Sequence, residues 1–375
     1  MKTQAGADAL ERAMIDALRS APPLDRGAPF PRAWWQHLAE RRLLGLGVDL
    51  DGQGARAGWP TIARLAGCIA RETASLGAAL GWLLNEMQGR FVLGPHARAD
   101  VQRSLLRRMV AGEAIVGLAI SEPGVGAHPK KLCTSARREG DRWLLDGRKS
   151  HVSHAPAADA FVVVAVTGEH ESRKRFDAFV VEANAPGLTL EPGGTAALPP
   201  LEHAGLVLNG CAVADAARLT LDGAAFDRIA KPVRIVEDAL LAGAIAGAMR
   251  AELAALAPLL RGAAPAAERV RGLGALKLEL DALDAVADRA AERLESEGPG
   301  EALAAFNAGA RRLFERWQAA AEAFAAQAPG AGEVAVPVAR DLRTVLGIAR
   351  SVGEMRQYSA GTQLIQPKET DEVAA

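Results

Sequence analysis

Cysteine is scarce: Cys68, Cys133 and Cys211 are the three in 375 residues, they lie far apart, and none forms a Cys-x-x-Cys pair. That argues against a disulfide framework and a thiolate zinc site, and it fits a reducing cytoplasm. An excess of one charge is also missing. Lys and Arg number 44 against 45 Asp and Glu, a net charge of -1, so there is no surplus for the basic face that nucleic acid or an anionic membrane requires. Long apolar runs are lacking, and the longest, Ala239 to Met249, is shorter than a bilayer span. The N-terminus, Met1 to Gly6, leads into no apolar stretch, so no signal peptide is expected. Finally, there is no GxxxxGK phosphate loop, no HExxH, no GxSxG elbow and no strand–GxGxxG–helix unit. Those absences argue against a P-loop, a zincin, an α/β-hydrolase and a Rossmann dinucleotide site.

What is present is an ordinary globular balance, 49% hydrophobic and 24% charged, on a chain long enough for two or three domains. The pattern changes twice along the chain. Residues 1–112 read as helices: Trp34, Trp35, Leu38, Leu43 and Leu44 recur near helical spacing, as do Ile62, Leu65, Ala66, Ile69 and Ala70. A further helix is expected over about 99–110, and the glycine-rich stretch 45–54 breaks the pattern. Residues 113–224 carry short β-branched runs, at 115–120, 143–145, 161–166 and 179–181. Glu139-Gly140, Asp146-Gly147, Pro186-Gly187 and Asn209-Gly210 read as the turns between them, and Glu169 to Arg175 as a solvated hairpin loop. Six to eight strands at this spacing predict an antiparallel barrel or sandwich. Residues 225–366 return to alanine-rich helix, with turns at Gly298-Pro299-Gly300 and Ala328-Pro329-Gly330, and 367–375 form a polar tail. A β module between two helical ones places a ligand site where the modules meet.

Two segments could carry chemistry. Gly117 to Gly126 ends a strand in Ser121-Glu122-Pro123 and turns through Gly124 and Gly126, so that a flat ligand can approach the backbone. About thirty residues on, Gly147 to His154 closes a second strand with Ser153 and two imidazoles, His151 and His154. Spacing alone leaves both open to being ordinary polar loops.

The whole pattern resembles the acyl-CoA dehydrogenase family over roughly residues 25–350. The resemblance is carried by Gly112-Glu113, by Ala119-Ile120-Ser121-Glu122-Pro123-Gly124-Val125-Gly126, and by Asp146-Gly147-Arg148-Lys149. The runs Ala157 to Val163 and Phe176 to Glu182, with Pro186-Gly187 behind, extend it, and Leu43 to Val48 is consistent with it. It implies an α/β/α fold: an N-terminal helical domain, a middle antiparallel β-barrel or sandwich, and a C-terminal four-helix bundle. It also implies bound FAD against the middle domain and the bundle. Leu118, Ser121, Gly126, His151 and Ser153 take the family's flavin-contacting positions, with Gln327 and Gly330 a remnant of its Gln-x-x-Gly-Gly turn. Ala127 and Asp238 fall at substrate-contacting positions.

Departures from the family pattern accompany the resemblance. Ala127-His128 stand where a Ser-Asp is usual, His151 stands where a Trp is usual, and 260–265 lack the Arg-x-x-Phe element for the adenosine diphosphate. The usual Tyr-Glu-Gly-Thr base motif is absent, with Glu354 nearest but out of register. Isovaleryl-type branches place the base on the first helix of the bundle, and Glu237 matches that location, within an apolar stripe of Val233, Val236, Leu240, Ala244 and Gly247. An ion pair with Arg234 or Lys231 is the competing reading of Glu237. His128, His151 and His154 are assigned to the flavin pocket rather than to a metal.

The activity implied is α,β-dehydrogenation of an acyl-CoA or acyl-carrier-protein thioester in fatty acid metabolism, with hydride transfer to flavin N5. Electron-transfer flavoprotein or another acceptor would reoxidise it, and a homodimer or homotetramer would be the working state. Two other readings stay open: a flavin-dependent monooxygenase on the same fold, aided by His151 and His154, and a non-catalytic subunit forming a heteromer with an intact homologue. No nucleic-acid or membrane partner is expected, and the setting is read as cytoplasmic.

Overall fold

The computed structural model describes residues 2–26, 29–50, 56–193, 198–219, 222–260, 267–327, 337–348 and 350–365. Five helices come first: α1 (Lys2–Ser20), α2 (Arg32–Glu40), α3 (Trp59–Thr73), α4 (Leu76–Met87, continued by a wider turn over Gln88–Leu93) and α5 (Asp100–Val110). Helix α3 buries Ile62, Leu65, Ala66, Ile69 and Ala70, the residues whose spacing announced it. Helix α4 is buried on every face, with Ser75 Oγ accepting the Ala78 N–H at 3.2 Å as its N-cap. A helix without a polar face has no amphipathic period, which is why the sequence shows it poorly.

Seven strands follow: β1 (Val116–Ala119), β2 (Ser135–Glu139), β3 (Arg142–Ser153), β4 (Ala160–His170), β5 (Arg173–Glu182), β6 (Leu188–Pro192) and β7 (His203–Ala214). They form one curled sheet in the order β1-β4-β2-β3-β7-β6, with β5 added on β4. The sheet is mixed rather than purely antiparallel, because β1 runs parallel to β4 from Val116 opposite Ala160 to Ala119 opposite Val163. Periodicity reports which face a residue takes and is silent about strand direction. The β4–β5 hairpin turns at Glu171 and Ser172, both at positive φ, inside the solvated loop expected there.

Two expected turns are not turns. Asp146-Gly147 lies within β3 and Asn209-Gly210 within β7, where the β3–β7 register shifts between Leu145 and Gly147. Asp146 Oδ1 accepts the Gly210 N–H at 2.7 Å across this bulge. Gly147 sits at φ +145, and a Cβ there would lie 2.7 Å from Thr134 Cα. Turn residues and bulge residues share one need, unusual φ or close approach, so the dipeptides alone do not separate the two.

The chain then returns to helix: α6 (Lys231–Leu256), α7 (Ala267–Glu297), α8 (Glu301–Ala326), α9 (Pro337–Gly347) and α10 (Arg350–Ile365). Gly298, at φ +72, makes the expected turn between α7 and α8, whereas Ala328-Pro329-Gly330, the tail 367–375 and the span 261–265 lie outside the described residues. Helix α6 packs on α7, α8 and α9 and crosses α3 closely. A Cβ on Gly243 would meet the Ala63 carbonyl at 2.3 Å, and one on Gly247 would meet the Gly67 carbonyl at 2.0 Å. Glycine is therefore what lets α6 touch the N-terminal helices backbone to backbone. With its preceding turn, α6 (Phe226–Leu256) is long and apolar enough by composition to cross a membrane, beyond what the run Ala239 to Met249 suggested. Inside this fold 72% of its most apolar window is buried, so its hydrophobicity is used by the core.

Candidate functional site

A cavity of about 1240 Å³ opens where the sheet, α4 and the C-terminal bundle meet. Its sheet-side wall is built by a local device. The chain leaves β1 and turns between Glu122 and Gly126, which exchange N–H···O bonds of 3.0 Å in both directions. Gly124 at φ +73 and Gly126 at φ +59 make that turn, and a Cβ on either would meet nothing within 4 Å, so their backbone faces open space. The turn is anchored from below. Glu122 accepts the backbone N–H groups of Cys133 (2.7 Å) and Thr134 (2.8 Å) and the Lys149 ammonium (3.0 Å). Lys149 also donates to the Ile120 carbonyl at 2.9 Å. Burial alone would raise the Glu122 carboxyl, yet its pKa is lowered, because the Cys133 amide and Lys149 hold the charged form. The Ser150 N–H donates to the Ser121 carbonyl at 2.9 Å, which joins the two strand ends. Next to it β3 bulges between Lys149 and Val152, with His151 at φ +56.

This wall presents Leu118, Ser121, Gly126, Ala127, His151 and Ser153 to the cavity, so six of the sequence-selected positions converge. Gln327 is not among them; it is exposed at the end of α8, and Gly330 lies outside the described residues. The three histidines do not gather either. His128 is exposed, His151 lines the cavity, and His154 is buried in the core. His154 donates its Nε2–H to the Gly81 carbonyl at 3.0 Å and stands edge-on to Phe30 at 5.1 Å. Burial pushes its pKa down to about 4, so it is a neutral packing residue that fastens the sheet to α4.

The bundle-side wall is polar. Glu237 and Asp238 line it with Arg234, whose guanidinium lies 2.7 Å from Asp238 and 3.9 Å from Glu237. The Glu237 side chain keeps 24% of its exposure, and since it lines the cavity, that exposure opens inward. Removal from bulk water raises its pKa, and Arg234 offsets this only in part. The ion pair expected as the competing reading therefore exists, but Arg234's short contact is with Asp238. Farther along α6, Ala242 lines the cavity, whereas Gly243 serves the crossing with α3, and Ala239 and Ala244 are core. Glu354 is exposed on α10 and does not line this cavity.

Three cavity residues carry a buried polar atom with no protein partner: Gln88 Oε1, His203 Nδ1 and Asn307 Oδ1. Sequence reasoning missed all three. Asn307 had a visible signal, a polar residue in the α8 stripe Leu303, Asn307, Ala310, Phe314. His203, paired with Ser153 across β3 and β7, had none, because that pairing is set by the bulges.

The sequence model "Acyl-CoA dehydrogenase, middle domain" matches residues 117–211, the span that holds the sheet-side wall. The benzylmalonyl-CoA dehydrogenase of Aromatoleum aromaticum is 29% identical over 204 residues, covering 53% of this chain and 52% of that protein. The mouse mitochondrial short-chain specific acyl-CoA dehydrogenase is 33% identical over 173 residues, 45% of this chain and 41% of that protein. The alignments thus span about half or less of these curated relatives. Over 96% of this chain and 98% of the other, the fold matches butyryl-CoA dehydrogenase from Megasphaera elsdenii with a TM-score of 0.80 at 18% identity. Residues 117–211 thus match the acyl-CoA dehydrogenase middle domain by sequence, and the described chain shares the fold of the butyryl-CoA dehydrogenase structure.

Proposed function

We propose that this chain is an FAD-dependent acyl thioester dehydrogenase with Glu237 as its base. The observation that carries the reading is that one cavity receives Ser121 and Ser153 from the sheet and a carboxylate of raised pKa, Glu237, from the bundle.

The residues present fit a flavin. Ser121 and Ser153 offer hydroxyls, Gln88 Oε1 and His203 Nδ1 lack protein partners, and the open backbone at Gly124 and Gly126 admits a flat ring system. The apolar side chains of Leu80, Leu84 and Met87 on α4 face the same space and suit a ring face. Bound there, a flavin supplies the hydride acceptor.

Glu237 performs the proton step. Its carboxylate takes the proton from the carbon next to the thioester carbonyl, and the raised pKa brings its basicity closer to neutral pH. Arg234, held by Asp238, places a positive charge beside it that favours the carboxylate form and so works against the effect of burial.

His154 does not line the cavity, so the monooxygenase reading keeps only one of its two imidazoles, His151. An acyl-CoA or acyl-carrier-protein donor, an electron-transfer flavoprotein or other acceptor, a homodimer or homotetramer, and a reducing cytoplasmic setting complete the proposal. The test is anaerobic: the purified, flavin-loaded protein is mixed with short acyl-CoA thioesters and the flavin absorbance is followed. Bleaching supports the dehydrogenase. A flavin that stays oxidised with every thioester, in a protein that consumes oxygen when given reduced flavin, supports the monooxygenase.

A further inference from the structure

On the bundle side of the cavity, α8 sets Asn307 against the start of α6. The Asn307 Nδ2 donates to the Ile235 carbonyl at 3.1 Å, which fixes which way round the amide lies. Its Oδ1 is left as a bare acceptor on a residue only 6% exposed that lines the cavity. An acceptor desolvated without a partner is unfavourable until a donor reaches it. Ile235 lies in the same turn of α6 as Arg234, Glu237 and Asp238, and those three residues line the same cavity as Asn307. Farther along α6 the wall turns apolar, with Leu241, Ala242 and Ile245, and Phe314 continues that surface on α8.

We propose that Asn307 is a specificity residue: its Oδ1 accepts a hydrogen bond from an O–H or N–H group on the acyl part of the substrate. The preferred thioester is then a hydroxyacyl or aminoacyl one rather than a plain alkyl one. This rests on the dehydrogenase reading, because the ligand is placed by Glu237. Of the two donors, charge does not decide: Glu237 and Asp238 attract a cation, while Arg234 and Arg311 on the same wall repel it. A site built around a buried acceptor rejects an isostere that lacks the donor more strongly than an apolar site rejects an added hydroxyl, because the isostere leaves the oxygen unpaired.

The experiment measures thioester binding by calorimetry to the flavin-loaded Glu237→Gln protein, in which turnover is expected to be slowed by about 10²–10⁴. The probes are acyl-CoA thioesters with a hydroxyl or amino group at the second, third or fourth carbon, each paired with its methyl isostere. At least one donor-bearing probe is expected to bind about tenfold or more tightly than its isostere, as one recovered buried hydrogen bond implies. Adding Asn307→Leu should abolish or invert that preference. Adding Asn307→Ala, which removes the acceptor without filling the site, should abolish it as well, and this second variant serves if the leucine one fails to fold. The hydroxyl and amino arms show which donor the site takes. Equal binding of every pair overturns the assignment of Asn307 and leaves the dehydrogenase reading standing. Absence of binding by any thioester overturns both.

Discussion

The two walls of the cavity are made in different ways. The sheet-side wall is held by contacts within about thirty residues of one another: the Glu122–Gly126 turn, the Glu122–Lys149 ion pair and the Ser121–Ser150 bond. The bundle-side wall depends on partners far apart in the chain, since α6 is placed by Gly67 against Gly247 and Asn307 reaches α6 from α8. Local construction leaves a signature in sequence, and distant construction does not. The sequence match to the acyl-CoA dehydrogenase middle domain spans 117–211, which holds the sheet-side wall.

Substitutions can break each wall separately. The largest effect is expected on the sheet side from Lys149→Met. Its ammonium is fully buried and its loss strands the Glu122 charge, so roughly 3–5 kcal/mol of stability should disappear in chemical denaturation. A loss below about 1 kcal/mol would mean that the pair does not anchor the turn.

The matching break on the bundle side is Gly247→Ala. Its Cβ would fall 2.0 Å from the Gly67 carbonyl, so the helices must part, at a cost of about 1–3 kcal/mol. Because α6 carries Glu237, thioester-driven flavin reduction should fall with it while flavin content changes little. A variant as stable and as active as the parent would show that the crossing does not position the wall.

The third prediction sharpens the contrast through pH. Glu252 on α6 is 2% exposed, and burial raises its pKa to about 7. A carboxyl whose folded pKa is raised stabilises the fold at acidic pH, and that stability is lost as pH climbs from about 4.5 through about 7. Glu86, which accepts the Gly45 and Gly47 N–H groups and is also raised to about 7, acts in the same direction. Glu252→Gln should therefore gain on the order of 1–3 kcal/mol at pH 8 and almost nothing at pH 4. Equal effects at both pH values would contradict a raised pKa.

The smallest stability effect is expected for Ser121→Ala with Ser153→Ala. The fold should be nearly unchanged, whereas flavin affinity should weaken by about 0.5–1.5 kcal/mol for each bond lost, read by equilibrium dialysis. Unchanged affinity would remove the flavin from the sheet-side wall.

Much of the fold was legible, because runs such as Phe161 to Val166 and stripes such as Ile62, Leu65, Ala66 carry their period openly. The parallel β1–β4 pairing was not, since it depends on which strands meet rather than on any one strand. The bulge at Asp146-Gly147 looked like a turn for the reason that both need glycine. In the site, Ser121, His151 and Ser153 were found through a local motif. His154 was misjudged because it follows the end of β3 at φ +65, with its ring packed against Phe30 and Trp35 in the core. His203 joins the cavity only by tertiary contact, and nothing beside it in sequence says so, whereas Asn307 showed as a polar residue in the apolar stripe of α8.

The central claim is that flavin and base stand on different walls, and Glu237→Gln tests it most directly. The substitution keeps the shape of the side chain and removes its basicity. The account predicts that the variant binds as much flavin as the parent, while thioester-driven flavin reduction, followed anaerobically, slows by about 10²–10⁴. Reduction at the parental rate with full flavin content would place the base elsewhere and contradict the account.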